Sequence, residues 1–177
     1  NKNIININKF LWKLKKIEIY SDNLEKEKLI DFEKENDQIF STVKNYKLYQ
    51  LLKNNLSKNK YFNSRLIPKK NLSYTNKYDL VINCDSLNII TKKYFNKKFE
   101  KEYNSKAYTS IITHEKILNN IAVQIFTKKG PLAFLPISDT QTSIVYSIPN
   151  FVYETKENIK KLIADKNIKY KIKNIEE

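Results

Sequence analysis

The sequence has very little of the residues that build compact cofactor-binding and metal-binding sites. Its 177 residues include one glycine, one cysteine, one histidine and no methionine. A single cysteine excludes an internal disulfide and any metal site that needs several cysteines, and a single histidine argues against a zinc site made of histidines. No run approaches the ~18 consecutive apolar residues of a membrane-spanning helix. The sequence therefore predicts a protein that is soluble or bound at a membrane surface.

The absence of methionine also bears on the origin of the chain. Without methionine the sequence contains no natural start residue, and its first eight residues lack the charged and apolar regions of a signal peptide. We therefore expect an internal fragment of a longer, cytoplasmic polypeptide.

Arginine is almost absent although the chain is strongly basic. The formal net charge is +14, yet Arg65 is the only arginine. A basic field attracts nucleic acid or anionic lipid, but nucleic-acid sites favour arginine, whose planar fork binds phosphates and guanine edges with two hydrogen bonds. We interpret the lysines mainly as a solvated surface. The alternative is a basic α+β module that binds nucleic acid, with several of the twelve tyrosines grouped for stacking on one sheet face.

Short regular elements are predicted on both sides of the centre of the chain. Alternation over 15–20 and an apolar segment over 29–32 predict a β-hairpin. Leucines at helical spacing predict a helix over 46–58, with Asn45 as its N-cap. The compact run Tyr78-Asp-Leu-Val-Ile82 predicts a buried parallel strand that ends before Asp85. Further elements are predicted as a strand over 39–43 and helices over 87–95 and 155–165.

The β pattern is strongest in the middle of the second half. Four segments there are rich in β-branched and aromatic residues, namely 107–113, 121–126, 131–137 and 143–148. Their connections are short, and Gly130 lies in one of them, so we expect an antiparallel sheet of about four strands. The predicted fold class is α/β, more specifically α+β, and the polar tail 167–177 is assigned no element.

The same region carries a resemblance to a known family. The sequence contains His114-Glu115, Ala122-x-Gln124-x-Phe126, Gly130-Pro-Leu-Ala-Phe-Leu-Pro136-Ile-Ser138 and Ser143-Ile-Val-Tyr-Ser147. This run resembles the middle of the flavin-dependent aromatic hydroxylases of ubiquinone biosynthesis, which share the p-hydroxybenzoate hydroxylase fold. Two shorter upstream stretches are similar to the same family, Val43-Lys44-Asn45-x-x-Leu48 and Tyr78-Asp-Leu-Val-Ile-Asn-Cys-Asp85-Ser86.

The resemblance implies a division of the chain into parts of two domains. It assigns 1–43 to the first strands of the substrate domain and 44–103 to part of the Rossmann-like FAD-binding domain. It assigns 104–150 to the antiparallel sheet of the substrate domain, which leaves 151–177 as a C-terminal helix and tail.

The implied activity is that of an FAD-dependent monooxygenase that hydroxylates a polyprenylated aromatic ring, with NAD(P)H as reductant. One glycine cannot supply the family's Gly-x-Gly-x-x-Gly fingerprint or its later Gly-Asp motif, so we expect no turnover by the fragment alone. The expected partners are a polyprenyl-aromatic quinone precursor, the missing remainder of the hydroxylase and an anionic membrane surface. The implied location is the cytoplasm, with a peripheral position on the inner membrane as a further option.

The resemblance also implies site residues. It assigns cofactor contacts to Asp85 and Ser86. It assigns an apolar substrate wall to Phe134, Leu135 and Pro136, and polar substrate contacts to Gln124 and Tyr146. It assigns no catalytic residue and no metal ligand. From its position at a strand end, His114 is expected to be a structural hydrogen-bonding residue, and Cys84 is expected to be a small apolar filler at the end of a buried strand.

Overall fold

The architecture was obtained from a computed structural model that describes residues 7–22, 27–34, 38–65, 76–95, 97 and 99–176. After one 3₁₀ turn, Asn8–Phe10, the strands and helices follow in this order. They are β1 (Trp12–Leu14), β2 (Lys16–Ser21), β3 (Lys28–Glu33), β4 (Phe40–Thr42), α1 (Asn45–Leu56), α2 (Ile89–Tyr94), β5 (Ser105–His114), β6 (Ile121–Thr127), β7 (Gly130–Pro136), β8 (Gln141–Pro149), α3 (Lys156–Lys166) and β9 (Ile172–Ile175).

A seven-stranded mixed sheet dominates the fold. Its strand order is β3-β2-β6-β7-β8-β5-β9, while β1 and β4 form a separate two-stranded antiparallel sheet. All neighbours in the large sheet are antiparallel except β2 and β6, which run parallel. The fold is therefore α+β, as the sequence predicts, and the four predicted strands form its contiguous middle, β6-β7-β8-β5.

The core lies on one face of this sheet and is covered by α3. Alternate residues along β8 are buried, from Thr142 to Ile148, because successive side chains of a strand point to opposite faces. Helix α3 begins after Thr155, whose hydroxyl accepts a hydrogen bond from the Asn158 amide at 3.2 Å. Its Ile159 and Ile163, four residues apart, pack into the same core cluster as Phe134 and Tyr146.

Several other predicted elements are confirmed with small shifts. The β2–β3 hairpin forms as expected, although residues 23–26 of its connection lie outside the described part. Strand β4 and helix α2 lie within their predicted segments, while α1 begins one residue before its predicted segment and α3 ends one residue after its own. The predicted N-cap of α1 is wrong by one residue, since Lys44 occupies that position and no side chain caps the helix.

The tail contributes more than the sequence indicates. Ile172–Ile175 forms β9, the edge strand beside β5, and Tyr170 just before it is 6% exposed and stacks on Phe134 with ring centroids 6.0 Å apart. Strand β9 reads Ile-Lys-Asn-Ile, which lacks the strict alternation of a strand, so the sequence does not predict it without knowledge of the β5 edge that pairs with it.

The predicted buried strand at 78–82 is wrong. These residues form no strand, and Leu80 and Ile82 are 75% and 77% exposed. Cys84 is exposed as well, so its expected role as a buried filler is also wrong. A short, largely apolar segment forms a strand only where a neighbouring strand pairs with it, and 78–82 has no such pairing among the described residues.

The chain divides into two compact units. One comprises Asn1–Ser57 and Asn104–Glu177 and contains both sheets, α1 and α3, and the other comprises Lys58–Tyr103 and contains α2. Among the residues described, no helix is long and apolar enough to cross a membrane.

Candidate functional site

The large sheet has one face in the main core cluster, and its other face lies outside that cluster, although Ala122 on the second face is also buried. The core cluster takes its sheet residues from a single face, as the register pairs Val123 with Phe134, Phe134 with Ile144 and Leu132 with Tyr146. The opposite face supplies none of the cluster. We call this second side the open face.

The open face is mainly apolar. Its central row crosses the sheet through Ile19, Gln124, Ala133 and Val145, which lie opposite one another on β2, β6, β7 and β8. All four are half-buried. The row is flanked by larger apolar side chains, which include Leu135, Phe126, Ile30 and Phe32, and the last three of these are 45%, 48% and 48% exposed. Gln124 therefore places an amide in the middle of an apolar surface.

The five predicted substrate contacts are divided between the two faces. Gln124 and Leu135 lie on the open face, while Phe134, Pro136 and Tyr146 are at most 2% exposed and face the core. The expected single wall of three consecutive residues is wrong, because neighbours along a strand point to opposite sides. The structure thus brings Gln124 and Leu135 together, on adjacent strands of one face, and separates both from the other three.

Asp85 and Ser86 lie in an exposed turn within the unit Lys58–Tyr103. The Asp85 Oδ1 atom accepts a hydrogen bond from the Leu87 amide at 2.9 Å, and the Asp85 carbonyl accepts one from the Thr91 hydroxyl at 2.6 Å. Asn88, not Asp85, caps α2. The turn therefore does not follow a buried strand and is open to solvent, so these residues as they stand do not fit a flavin diphosphate.

A buried polar network that the sequence does not reveal closes one end of the sheet. His114, Asn119 and Thr142 are at most 1% exposed. The Asn119 amide donates to the Ser138 carbonyl at 2.8 Å and the Thr142 hydroxyl at 2.9 Å, and Asn119 Oδ1 accepts from the Tyr170 hydroxyl at 3.1 Å. These bonds tie the loop before β6 to β8 and to the tail.

The network also explains the role of His114. Its Nδ1 atom lies 2.7 Å from the Glu115 carbonyl and its Nε2 atom 3.0 Å from the Thr142 hydroxyl. Since a carbonyl only accepts, Nδ1 carries the proton in the first of these hydrogen bonds. The expected structural role is confirmed. Burial raises the pKa of Tyr170, which stacks beside this histidine with ring centroids 4.5 Å apart.

Lys169, next to Tyr170, carries a buried ammonium group. Its Nζ atom finds no hydrogen-bond partner among the described residues, and burial lowers its pKa below 10.5. Since an unsatisfied buried donor costs about 1–3 kcal/mol, we expect Lys169→Met to raise the free energy of unfolding by about 1 kcal/mol at neutral pH. Urea unfolding followed by Trp12 fluorescence measures this, and Lys171→Met is the control because the Lys171 side chain is 82% exposed.

The pH dependence of this gain follows from the sign of the shift. The folded protein releases the Lys169 proton at a lower pH than the unfolded chain does, so the penalty is full below the folded pKa and fades as pH rises towards 10.5. The advantage of Lys169→Met should therefore shrink on going from neutral to alkaline pH. An advantage that is constant with pH, or absent at neutral pH, would contradict the assignment of a buried charge.

A cavity of about 380 Å³ lies at the opposite end of the core face from the network. Its walls include Tyr146, Ile159, Glu154 and the β6–β7 turn. The Glu154 carboxylate is 9% exposed and pairs with the Lys129 ammonium at 2.5 Å, which raises the pKa of Lys129. A second pair on the rim joins Lys166 and Asp22. These two pairs neutralise four of the charges at the cavity, and Lys128, Lys161 and Asp165 also line it.

Compared with family models and with curated proteins, the chain matches none of them. Among the described residues, no group of three or more histidine, cysteine, aspartate or glutamate side chains is placed to hold a metal ion. The open face is therefore the candidate site, because it brings together two predicted contact residues on an apolar surface.

Proposed function

We propose that the chain forms the substrate-domain sheet of a flavin-dependent aromatic hydroxylase and that the open face is its wall for a polyprenylated aromatic ring. The observation that carries the proposal is the position of Gln124 and Leu135 on one apolar face that the core does not use. The glycine turn supports it, since Gly130 begins β7, the central strand of the sheet. Both features lie in the stretch that resembles the family.

The chemistry of the open face suits such a substrate. Apolar tail atoms that leave water for an apolar surface gain about 25 cal/mol per Å², and the face offers aliphatic and aromatic side chains on five adjacent strands. Gln124 offers a donor and an acceptor for a ring hydroxyl or carbonyl in the middle of that surface. The proposed role of this part of the protein is to bind and orient the ring.

The proposal assigns the flavin to polypeptide outside these 177 residues. Only one glycine is present, and the turn at Asp85 does not fit the diphosphate. We therefore expect the fluorescence of FAD to be unchanged when the chain is added, while the chain still binds the aromatic substrate. Quenching of FAD fluorescence by the chain alone would contradict this division of roles.

The substrate part of the proposal is tested by equilibrium dialysis with geranylated 4-hydroxybenzoate. We expect Leu135→Asp to weaken binding of this probe at least tenfold, because a carboxylate on the open face must lose water when the tail docks. The matched control is Leu118→Asp, at a loop leucine that is 81% exposed. Trp12 fluorescence during urea unfolding verifies that both variants remain folded.

Three results would overturn the proposal. The first is that the unmodified chain fails to retain the probe. The second is that Leu118→Asp weakens binding as much as Leu135→Asp does. The third is that Leu135→Asp is folded and still binds the probe normally. Each of these would remove the open face as the ring-binding wall, and none depends on the flavin.

The nucleic-acid alternative has less support from the placement of the tyrosines. The exposed ones among the described residues lie on α1, α2 and loops, including Tyr49, Tyr61 and Tyr153. The tyrosines of the large sheet, Tyr20, Tyr108 and Tyr146, all occur in or against the core cluster. A stacking surface needs aromatic rings grouped on one accessible face, so we rank this alternative second.

A further inference from the structure

The loop between β8 and α3 exposes two aromatic side chains on a firmly anchored base. We call residues 150–154 the aromatic loop. Phe151 is 88% exposed and Tyr153 is 80% exposed, whereas Val152 packs against the core cluster and Glu154 is 9% exposed. The backbone alternates outward and inward, so both rings point away from the core.

Hydrogen bonds hold the base of the aromatic loop in place. The Val152 amide donates to the Pro149 carbonyl at 3.0 Å, which closes a tight turn with Phe151 in it, and the Asn150 amide donates to the Asn104 carbonyl at 2.8 Å. The Glu154 carboxylate is bound to Lys129 at 2.5 Å. The rings are thus presented on a fixed support and not on a free strand of chain.

Lysines lie near the aromatic loop. The Lys106 ammonium lies 6.0 Å from the centre of the Tyr153 ring, and the ion pair of Glu154 with Lys129 brings the β6–β7 turn, with exposed Lys128, beside the aromatic loop. Lys156 follows at the start of α3. The carboxylates of this region include Glu154 and Asp22, which are already paired with lysines, Glu157 in the first turn of α3, and Asp165 in the wall of the cavity. The end of the sheet is therefore basic around an apolar tip.

We propose that the aromatic loop docks the protein on an anionic phospholipid surface, with Phe151 and Tyr153 entering the interface and Lys106, Lys128 and Lys156 meeting the headgroups. Aromatic side chains with one apolar and one wet end favour the membrane–water boundary. Each lysine near an anionic leaflet strengthens binding about fivefold. This inference does not depend on the proposed function of the open face.

A lipid surface fits these residues better than nucleic acid does. Lysine supplies point charges to a diffuse anionic surface, whereas phosphate and base recognition favours the forked guanidinium of arginine, and the only arginine, Arg65, lies in the other compact unit. Phe151 has no polar atom to contact a base edge. Two rings on one projecting loop also differ from the array of rings along a groove that binds single strands.

The test is sedimentation of the full chain with vesicles. We expect it to sediment with an equal mixture of phosphatidylglycerol and phosphatidylcholine, to stay in solution with phosphatidylcholine alone, and to be released by added salt. We expect Phe151→Ser combined with Tyr153→Ser to lower the partition coefficient at least tenfold, since withdrawing even part of a phenylalanine side chain from water is worth about that much. Lys128→Gln should lower it about fivefold.

Matched variants make the result specific. Tyr46→Ser combined with Tyr49→Ser removes two exposed rings from α1 in the same unit, and it should change the partition coefficient less than twofold. The proposal is overturned if the unmodified chain ignores anionic vesicles, or if the two double variants bind alike. Binding of a single-stranded oligonucleotide that is lost in the Phe151 and Tyr153 variant, without vesicle binding, would assign the loop to nucleic acid instead.

Discussion

Replacing Gly130 with alanine is expected to destabilise the sheet by about 3–5 kcal/mol, through backbone strain together with a steric clash. Gly130 has a φ angle of +149°, which side chains other than hydrogen rarely permit, and a Cβ built on it would lie 1.9 Å from the Ser147 carbonyl oxygen. That oxygen belongs to the backbone of β8, which pairs with β7 and β5. It cannot move away without breaking the ladder on either side.

Urea unfolding followed by Trp12 fluorescence measures this change, since Trp12 donates a hydrogen bond to the Asn119 carbonyl in the same compact unit. The corresponding fall in melting temperature is about 10 °C. Lys128→Ala, two residues earlier in the same turn and exposed, serves as the control and should stay within about 0.5 kcal/mol of the unmodified protein. Equal stability of Gly130→Ala and Lys128→Ala would mean that β7 and β8 do not approach each other this closely.

The sequence predicts the middle of the sheet well because two independent signals agree there. Alternation from Thr142 to Ile148 matches the strand period, and the short turn at Gly130 permits only an antiparallel neighbour. The outer strands of the large sheet, β2, β3 and β9, are harder to predict. The parallel pairing of β2 with β6 joins segments about a hundred residues apart, and no local pattern specifies such a partner.

The candidate site is less predictable than the fold for a physical reason. Alternation shows that Phe134 and Leu135 face opposite sides, but it does not show which side a helix covers. The covered side is decided by α3, whose Ile159 and Ile163 pack on the same side of the sheet as Phe134. The network around Asn119 is hidden for a similar reason, because its partners come from β8 and the tail. Polar residues far apart in sequence give no sign that they meet.

Phe134→Ala and Leu135→Ala form the pair that separates core packing from ligand contact. Phe134 is 2% exposed and stacks on Tyr170, so its truncation leaves a cavity and should cost about 3–5 kcal/mol. Leu135 is half-buried on the open face and should cost about 1 kcal/mol or less, since part of its surface already meets water. Phe134→Ala is thus expected to lower the free energy of unfolding at least three times as much as Leu135→Ala.

Binding of geranylated 4-hydroxybenzoate should show the reverse order. Leu135→Ala removes a contact from the open face and should weaken binding several-fold, whereas Phe134→Leu, which keeps most of the core volume, should leave binding unchanged. If Phe134→Leu instead weakens binding while urea unfolding, followed by Trp12 fluorescence, shows unchanged stability, the ligand binds at the core face. The cavity beside Tyr146 would then replace the open face as the site. Because the two residues are adjacent on β7, the pair tests which face of a single strand binds the ring.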